Sequence, residues 1–143
     1  KTHFNGKLID KNARKFLKRS GLDYEHGTGH GVGFYLNVHE GPQAISKYNT
    51  IKIKKGMILS NEPGYYKKNQ FGIRIENLIY VCEKNKQLYF ENLTLAPIEK
   101  DLVNFNLLNK TEKNYLFHYH LNVYLKLSKY LSLNERKWLA TFI

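Results

Sequence analysis

Residues Glu25 to Gly33 read EHGTGHGVG. His26 and His30 stand four apart, with Gly27, Gly29, Gly31 and Gly33 between and beside them, so imidazole nitrogens can reach a shared point without bulky neighbours. Glycine at this density opposes a stable helix from Gly29 to Pro42 and leaves strand and loop. Further along come VHEGP (Val38 to Pro42), NEPGYY (Asn61 to Tyr66) and GIRIEN (Gly72 to Asn77). Together these stretches supply His30, Glu62 and Glu76, one nitrogen and two carboxylates of the kind that hold a divalent metal.

The rest of the composition bounds what such a site can belong to. A chain of 143 residues has a one-domain length, and 42% hydrophobic content with 14% aromatics is enough to bury a core, so disorder is not expected. The net charge of +11 is compatible with a nucleic-acid partner, an acidic substrate or mere compositional bias. Bias is the better account. Arginine occurs only as Arg14, Arg19, Arg74 and Arg136, and the lysines are scattered among abundant Asn, Ile and Tyr, the mixture of an A/T-rich genome. Nothing in the chain matches a recognition helix or a ribonucleoprotein strand, so specific nucleic-acid binding is not expected, while weak binding to polyanions is. Cys82 is alone in an apolar run and reads as a buried, reduced thiol in a reducing compartment. No apolar run approaches the roughly 20 residues of a membrane span, and the N-terminal KTHFNGKLID lacks a signal core. A soluble, cytoplasmic protein with no membrane partner is expected. The chain opens on Lys and enters a helix almost at once, which reads as a start internal to a larger fold.

Asp10 is placed to cap a helix through KNARKFLKRS, with Ala13, Phe16 and Leu17 on one face and Gly21 as its terminator. IKIKKGMILS, GIRIENLIYVCE and KQLYFENLTLAP read as strands, and alternation in the second sets Arg74 and Glu76 on one face. Glu62 precedes Pro63, which keeps it out of the helical region and sets its carboxylate on an extended segment or turn. Beyond Pro97 the character changes. Asn109 with Glu112 forms a capping-box pattern before a helix in which Leu116, Tyr119, Val123, Leu127 and Tyr130 recur at helical spacing. A second box, Ser132 with Glu135, opens a terminal helix carrying Trp138. Helix, strands and then two helices make an α+β order, with helices packed on an antiparallel sheet.

With HGTGHGVG, VHEGP, EPGYY and FGIRIEN in that order, followed by TLAPIEKDL and the capped helical tail, the chain resembles the creatinase and aminopeptidase superfamily of the "pita-bread" fold, and within it the Xaa-Pro aminopeptidases. The resemblance covers nearly the whole chain. It implies the C-terminal part of a metallopeptidase catalytic domain over 1–143, with the ligand-bearing half of a curved antiparallel sheet over 1–100 and a helical extension over 101–143. It implies two divalent ions, commonly manganese, held by two Asp, one His and two Glu. Carried onto this chain, His30 and Glu62 would ligate one metal, Glu76 would bridge both, His26 and His39 would face the substrate peptide, and Arg74 would orient nearby carboxylates. A hydroxide between the ions would then cleave the bond between a first residue and a following proline.

The family's Asp pair has no counterpart here. Asp10 reads as a cap, Asp23 as a turn residue and Asp101 as a residue after the last strand, and His3 sits in no matching motif. Inactivity of the chain alone is therefore expected, the chain being either an excerpt of a full protein or the product of a split or decayed reading frame. In the split case a separate upstream fragment would carry the Asp ligands, and association or an oligomer is expected through apolar surface left open to a missing half. The alternative is a non-catalytic remnant that binds peptide or polyanion. Taken singly, His26 and His30 could be ordinary loop histidines, Glu76 and Arg74 a surface ion pair, and His39 a capped strand end; His118 and His120 read as positions on a helix face without chemistry. The HGTGHGVG string completes neither a zinc-binding helix motif nor a phosphate loop.

Overall fold

The computed structural model describes residues 4–35 and 37–143, so His3 lies outside the described residues. The chain divides into one unit ending at Thr94 and a second beginning at Leu95.

In the first unit, helix α1 spans Gly6–Arg19 and is capped by Asn5, whose side chain accepts the amide of Leu8 at 3.0 Å. Asp10 is therefore not the cap. It lies in the second turn, 2% exposed, with its carboxylate taken by Arg14 one turn on. Asp favours caps, but Asn5 occupies that position first, and the buried stripe of the helix runs through Gly6, Asp10 and Arg14. Phe16, expected on the packed face, is correspondingly 58% exposed. The helix stops as anticipated at Gly21, whose φ of 72° lets the amides of Gly21 and Leu22 fold back onto Lys18 and Leu17 at 3.1 and 3.0 Å.

Strands β1 (Gly29–His30) and β2 (Ala44–Ile45) pair, β3 (Ile58–Asn61), β6 (Asn77–Lys84) and β7 (Gln87–Asn92) form a three-stranded sheet with β6 in the middle, and β4 (Gly64–Lys67) pairs with β5 (Phe71–Arg74). All of these pairings are antiparallel. The core is Ile45, Ile53, Leu59, Ile79 and Val81, packed against Phe4, Ile9, Met57, Leu88 and Phe90. Two strand expectations change. Of IKIKKGMILS only the end is ladder, because a turn at Lys54–Met57, with Gly56 at φ 85°, interrupts it. GIRIENLIYVCE breaks at Ile75 and Glu76 into β5 and β6, so Arg74 and Glu76 do not ride one continuous strand. Cys82, in β6, is half-buried rather than buried.

That break positions the site. Asn61 pairs with Asn77 at the end of one ladder, and Gly64 pairs with Arg74 at the start of the next. The two residues between them on one strand are Glu62 and Pro63, and on the other Ile75 and Glu76, joined by the Ile75 amide on the Pro63 carbonyl at 3.3 Å.

In the second unit, α2 (Lys110–Leu127) and α3 (Leu133–Ala140) carry the two expected capping boxes, Asn109 with Glu112 and Ser132 with Glu135. Tyr119, Val123 and Leu139 are buried among Ile98, Tyr124, Leu127 and Leu131. Tyr130 leaves the helix for a 3-10 turn and is 74% exposed. His120 is a buried cross-brace, its Nδ1–H donating to Phe142 O at 2.7 Å and its Nε2 accepting from the Ile98 amide at 3.1 Å. Among the described residues no helix is long and apolar enough to cross a membrane.

Candidate active site

β1 delivers His30 beside the end of β3. Its amide donates to Ser60 Oγ at 2.9 Å, and its Nδ1–H donates to Gly31 O at 2.9 Å. With the proton on Nδ1, Nε2 keeps its lone pair, and that nitrogen faces Glu62 Oε1 at 3.3 Å. Two electron pairs facing each other in this way are reconciled by a proton or a cation between them. The separation is also close to the roughly 3 Å between neighbouring donors on one divalent ion with bonds of about 2.1 Å. Chemically and by this distance, His30 and Glu62 fit one metal.

Glu62 is 8% exposed and fully engaged. Its amide donates to Thr28 O at 2.7 Å, Oε1 accepts from Ser60 Oγ at 2.8 Å, and Oε2 accepts from Arg74 Nη1 at 3.0 Å. Arg74 Nε donates in turn to Tyr66 Oη at 2.7 Å. That hydrogen bond to Tyr66, aided by the negative charges of Glu62 and Glu76, holds the guanidinium pKa above its ordinary value. Tyr66 Oη then donates to His26 Nε2 at 2.9 Å, since His26 Nδ1–H is spent on Gly27 O at 2.7 Å. A continuous hydrogen-bonded series thus runs His26, Tyr66, Arg74, Glu62, Ser60 and His30.

His39 is exposed and sets its ring 4.1 Å, centre to centre, from that of His30. Glu76 is also exposed and shares with His30 an open cavity of about 340 Å³, lined further by Val32, Gly33, Asn37, Val38 and Leu78. Among the described residues, no three His, Cys, Asp or Glu side chains gather closely enough to hold a metal. His30 and Glu62 are brought together, His39 stands beside them, Arg74 and His26 are linked to them, and Glu76 faces the same cavity. Asp10 and Asp23 are both bound to Arg14, and Asp101 belongs to the second unit.

Sequence reasoning passed over Ser60 and Tyr66. Ser60 was detectable by alternation, being two residues before Glu62 on an extended segment, where side chains share a face. Tyr66 carried no such signal, because its role depends on the β4–β5 hairpin that folds Arg74 back across from Gly64.

Residues 1–83 match Metallopeptidase family M24, and residues 86–141 match the C-terminal region of peptidase M24. A probable Xaa-Pro aminopeptidase P of Coprinopsis cinerea is 47% identical over 94% of this chain and 24% of its own length, and one of Laccaria bicolor is 47% identical over 94% and 23%. Among solved structures, X-prolyl aminopeptidase from Caenorhabditis elegans, described as a cytosolic enzyme with a di-nuclear active site, superposes with a TM-score of 0.89 at 41% identity, covering 97% of this chain and 24% of that one. Xaa-Pro dipeptidase from Bacillus anthracis gives 0.59 at 31%, covering 69% and 26%. The chain spans about a quarter of the length of the curated relatives it matches.

Proposed function

The chain belongs to Metallopeptidase family M24, and we propose that it supplies the His and Glu side of the two-metal site of a cytoplasmic Xaa-Pro aminopeptidase, which releases the first residue of a peptide whose second residue is proline. The observation that carries this reading is the facing pair His30 Nε2 and Glu62 Oε1, 3.3 Å apart, with His30 Nδ1 turned to Gly31 O.

His30 and Glu62 would hold one divalent ion and Glu76 would join them, with manganese the expected metal. Bound divalent ions supply Lewis acidity, activating water and polarising the scissile carbonyl. The chain's own residues do the rest. Arg74 holds one oxygen of Glu62 while Ser60 holds the other, so the carboxylate is fixed before any ligand arrives. His26 and His39 would contact the peptide and help move a proton to the departing proline nitrogen. The two Asp ligands would come from a polypeptide outside these 143 residues, since Asp10 and Asp23 are committed to Arg14.

The test is reconstitution. The chain, an upstream polypeptide bearing the Asp pair, manganese and an Xaa-Pro peptide are mixed, and the free first amino acid is measured. Turnover is expected only in the complete mixture, with loss on Glu62→Gln. A second reading, a non-catalytic remnant that binds peptide or polyanion, draws support from the hydrogen bonds that both Glu62 oxygens accept within the chain, from Ser60 and Arg74. No turnover in the complete mixture would favour it.

A further inference from the structure

Arg14 is 1% exposed, and its three nitrogens are shared among four partners. Nε donates to both oxygens of Asp10 at 2.9 and 2.8 Å, Nη1 to Asp23 Oδ1 at 2.7 Å and Tyr24 O at 2.5 Å, and Nη2 to His26 O at 2.5 Å. The guanidinium carbon also lies 3.8 Å from the centre of the Tyr24 ring. Burying a cation this deeply costs solvation that one carboxylate repays poorly. Two carboxylates and two carbonyls answer it here, and the product is a fixed path for residues 23–28, which form no helix or strand of their own.

From Asp10 the network goes on. Thr28 Oγ1 donates to Asp10 Oδ1 at 2.7 Å and lies 2.5 Å from Tyr24 Oη, and Thr28 O receives the Glu62 amide at 2.7 Å. The buried Asp10–Arg14 pair therefore stands behind both His26 and Glu62 without touching the imidazole of one or the carboxylate of the other.

We infer that Arg14 is a positioning residue: from helix α1 it fixes the backbone of His26 directly and that of Glu62 through Asp10 and Thr28. The inference rests on the reading of His26 as substrate-facing and Glu62 as a metal ligand. It needs arginine, because a planar fork reaches three directions at once whereas an ammonium is a single point charge.

The test uses Arg14→Lys, which keeps the charge and removes the fork. In the isotope-labelled 143-residue chain, the His26 ring-nitrogen signals are expected to shift and the Glu62 amide to lose protection from exchange, while the ring of His120 in the second unit stays unchanged. In the reconstituted mixture, kcat is expected to fall roughly 10- to 100-fold, as for a displaced catalytic group, with KM little altered. A folded Arg14→Lys chain with His26 and Glu62 signals in place overturns the inference, as does a rise in KM alone. If Arg14→Lys fails to fold, Asp23→Asn, at a carboxylate that is 34% exposed, takes its place. A smaller shift of the same His26 signals is expected from it, and unmoved signals overturn the inference. If the wild-type mixture shows no turnover, the peptidase reading fails, and the spectra still decide the role of Arg14.

Discussion

Asp23 ties a surface carboxylate to a buried cation, and its pH behaviour follows. Burial alone would raise its pKa, but the hydrogen bonds from Arg14 and the Tyr24 amide, with the charges of Arg14 and Lys47, outweigh burial and hold it at about 2, against 3.8 ordinarily. A depressed carboxylate stabilises the fold above its unfolded value and loses that contribution as pH falls through its folded value. Urea unfolding followed from pH 5 downward is therefore expected to show stability declining between about 4 and 2 in the wild type, and Asp23→Asn should remove that part of the decline. Tyr66 gives a second prediction. Its hydroxyl joins His26 to Arg74 at an exposed position, so Tyr66→Phe should cost only about 1 kcal/mol or less in denaturant unfolding, while changing the His26 ring signals. At this scale the meeting of His30 with Glu62 was legible because the motifs that carry them are short and local. Arg14 was not, because an arginine on a helix reads as a solvated charge until Asp23 and the loop after it fold over it.

Gly29 shows why the glycines of the first motif are needed as elements assemble. A Cβ there would run into the carbonyl oxygen of Ser60, forcing β1 away from β3 and breaking the His30 amide contact to Ser60. Gly29→Ala is expected to destabilise the first unit by about 1–3 kcal/mol, read by chemical denaturation. The helix caps make a contrasting prediction. Asn109→Ala and Ser132→Ala should each cost about 0.5–2 kcal/mol, with loss of amide protection confined to the second unit. These boxes were legible because capping is settled within four residues. The β4–β5 hairpin and the break at Ile75–Glu76 were not, because alternation runs on through GIRIENLIYVCE and only the partners of each half, Gly64–Lys67 for β5 and β3 with β7 for β6, divide it.

For the whole chain, the run of strands ends at Asn92, the boundary between the two units falls between Thr94 and Leu95, and the helical core of Tyr119, Val123 and Leu139 lies in the second unit. With the described residues offering His30 and Glu62 together and Glu76 across the same cavity, calorimetric titration of the 143-residue chain with manganese should reveal fewer than two tight sites. Two tight sites would show that the Asp pair is dispensable and overturn the division of ligands proposed above. Arg14 finally constrains how such a chain can change over generations. A codon change that removed its guanidinium would strand the Asp10 carboxylate deep inside, while Asp23 at the rim would keep Lys18 and Lys47, so it would have to be accompanied by a change at Asp10. The opening helix and the histidine loop are thereby expected to diverge between lineages as one inherited block.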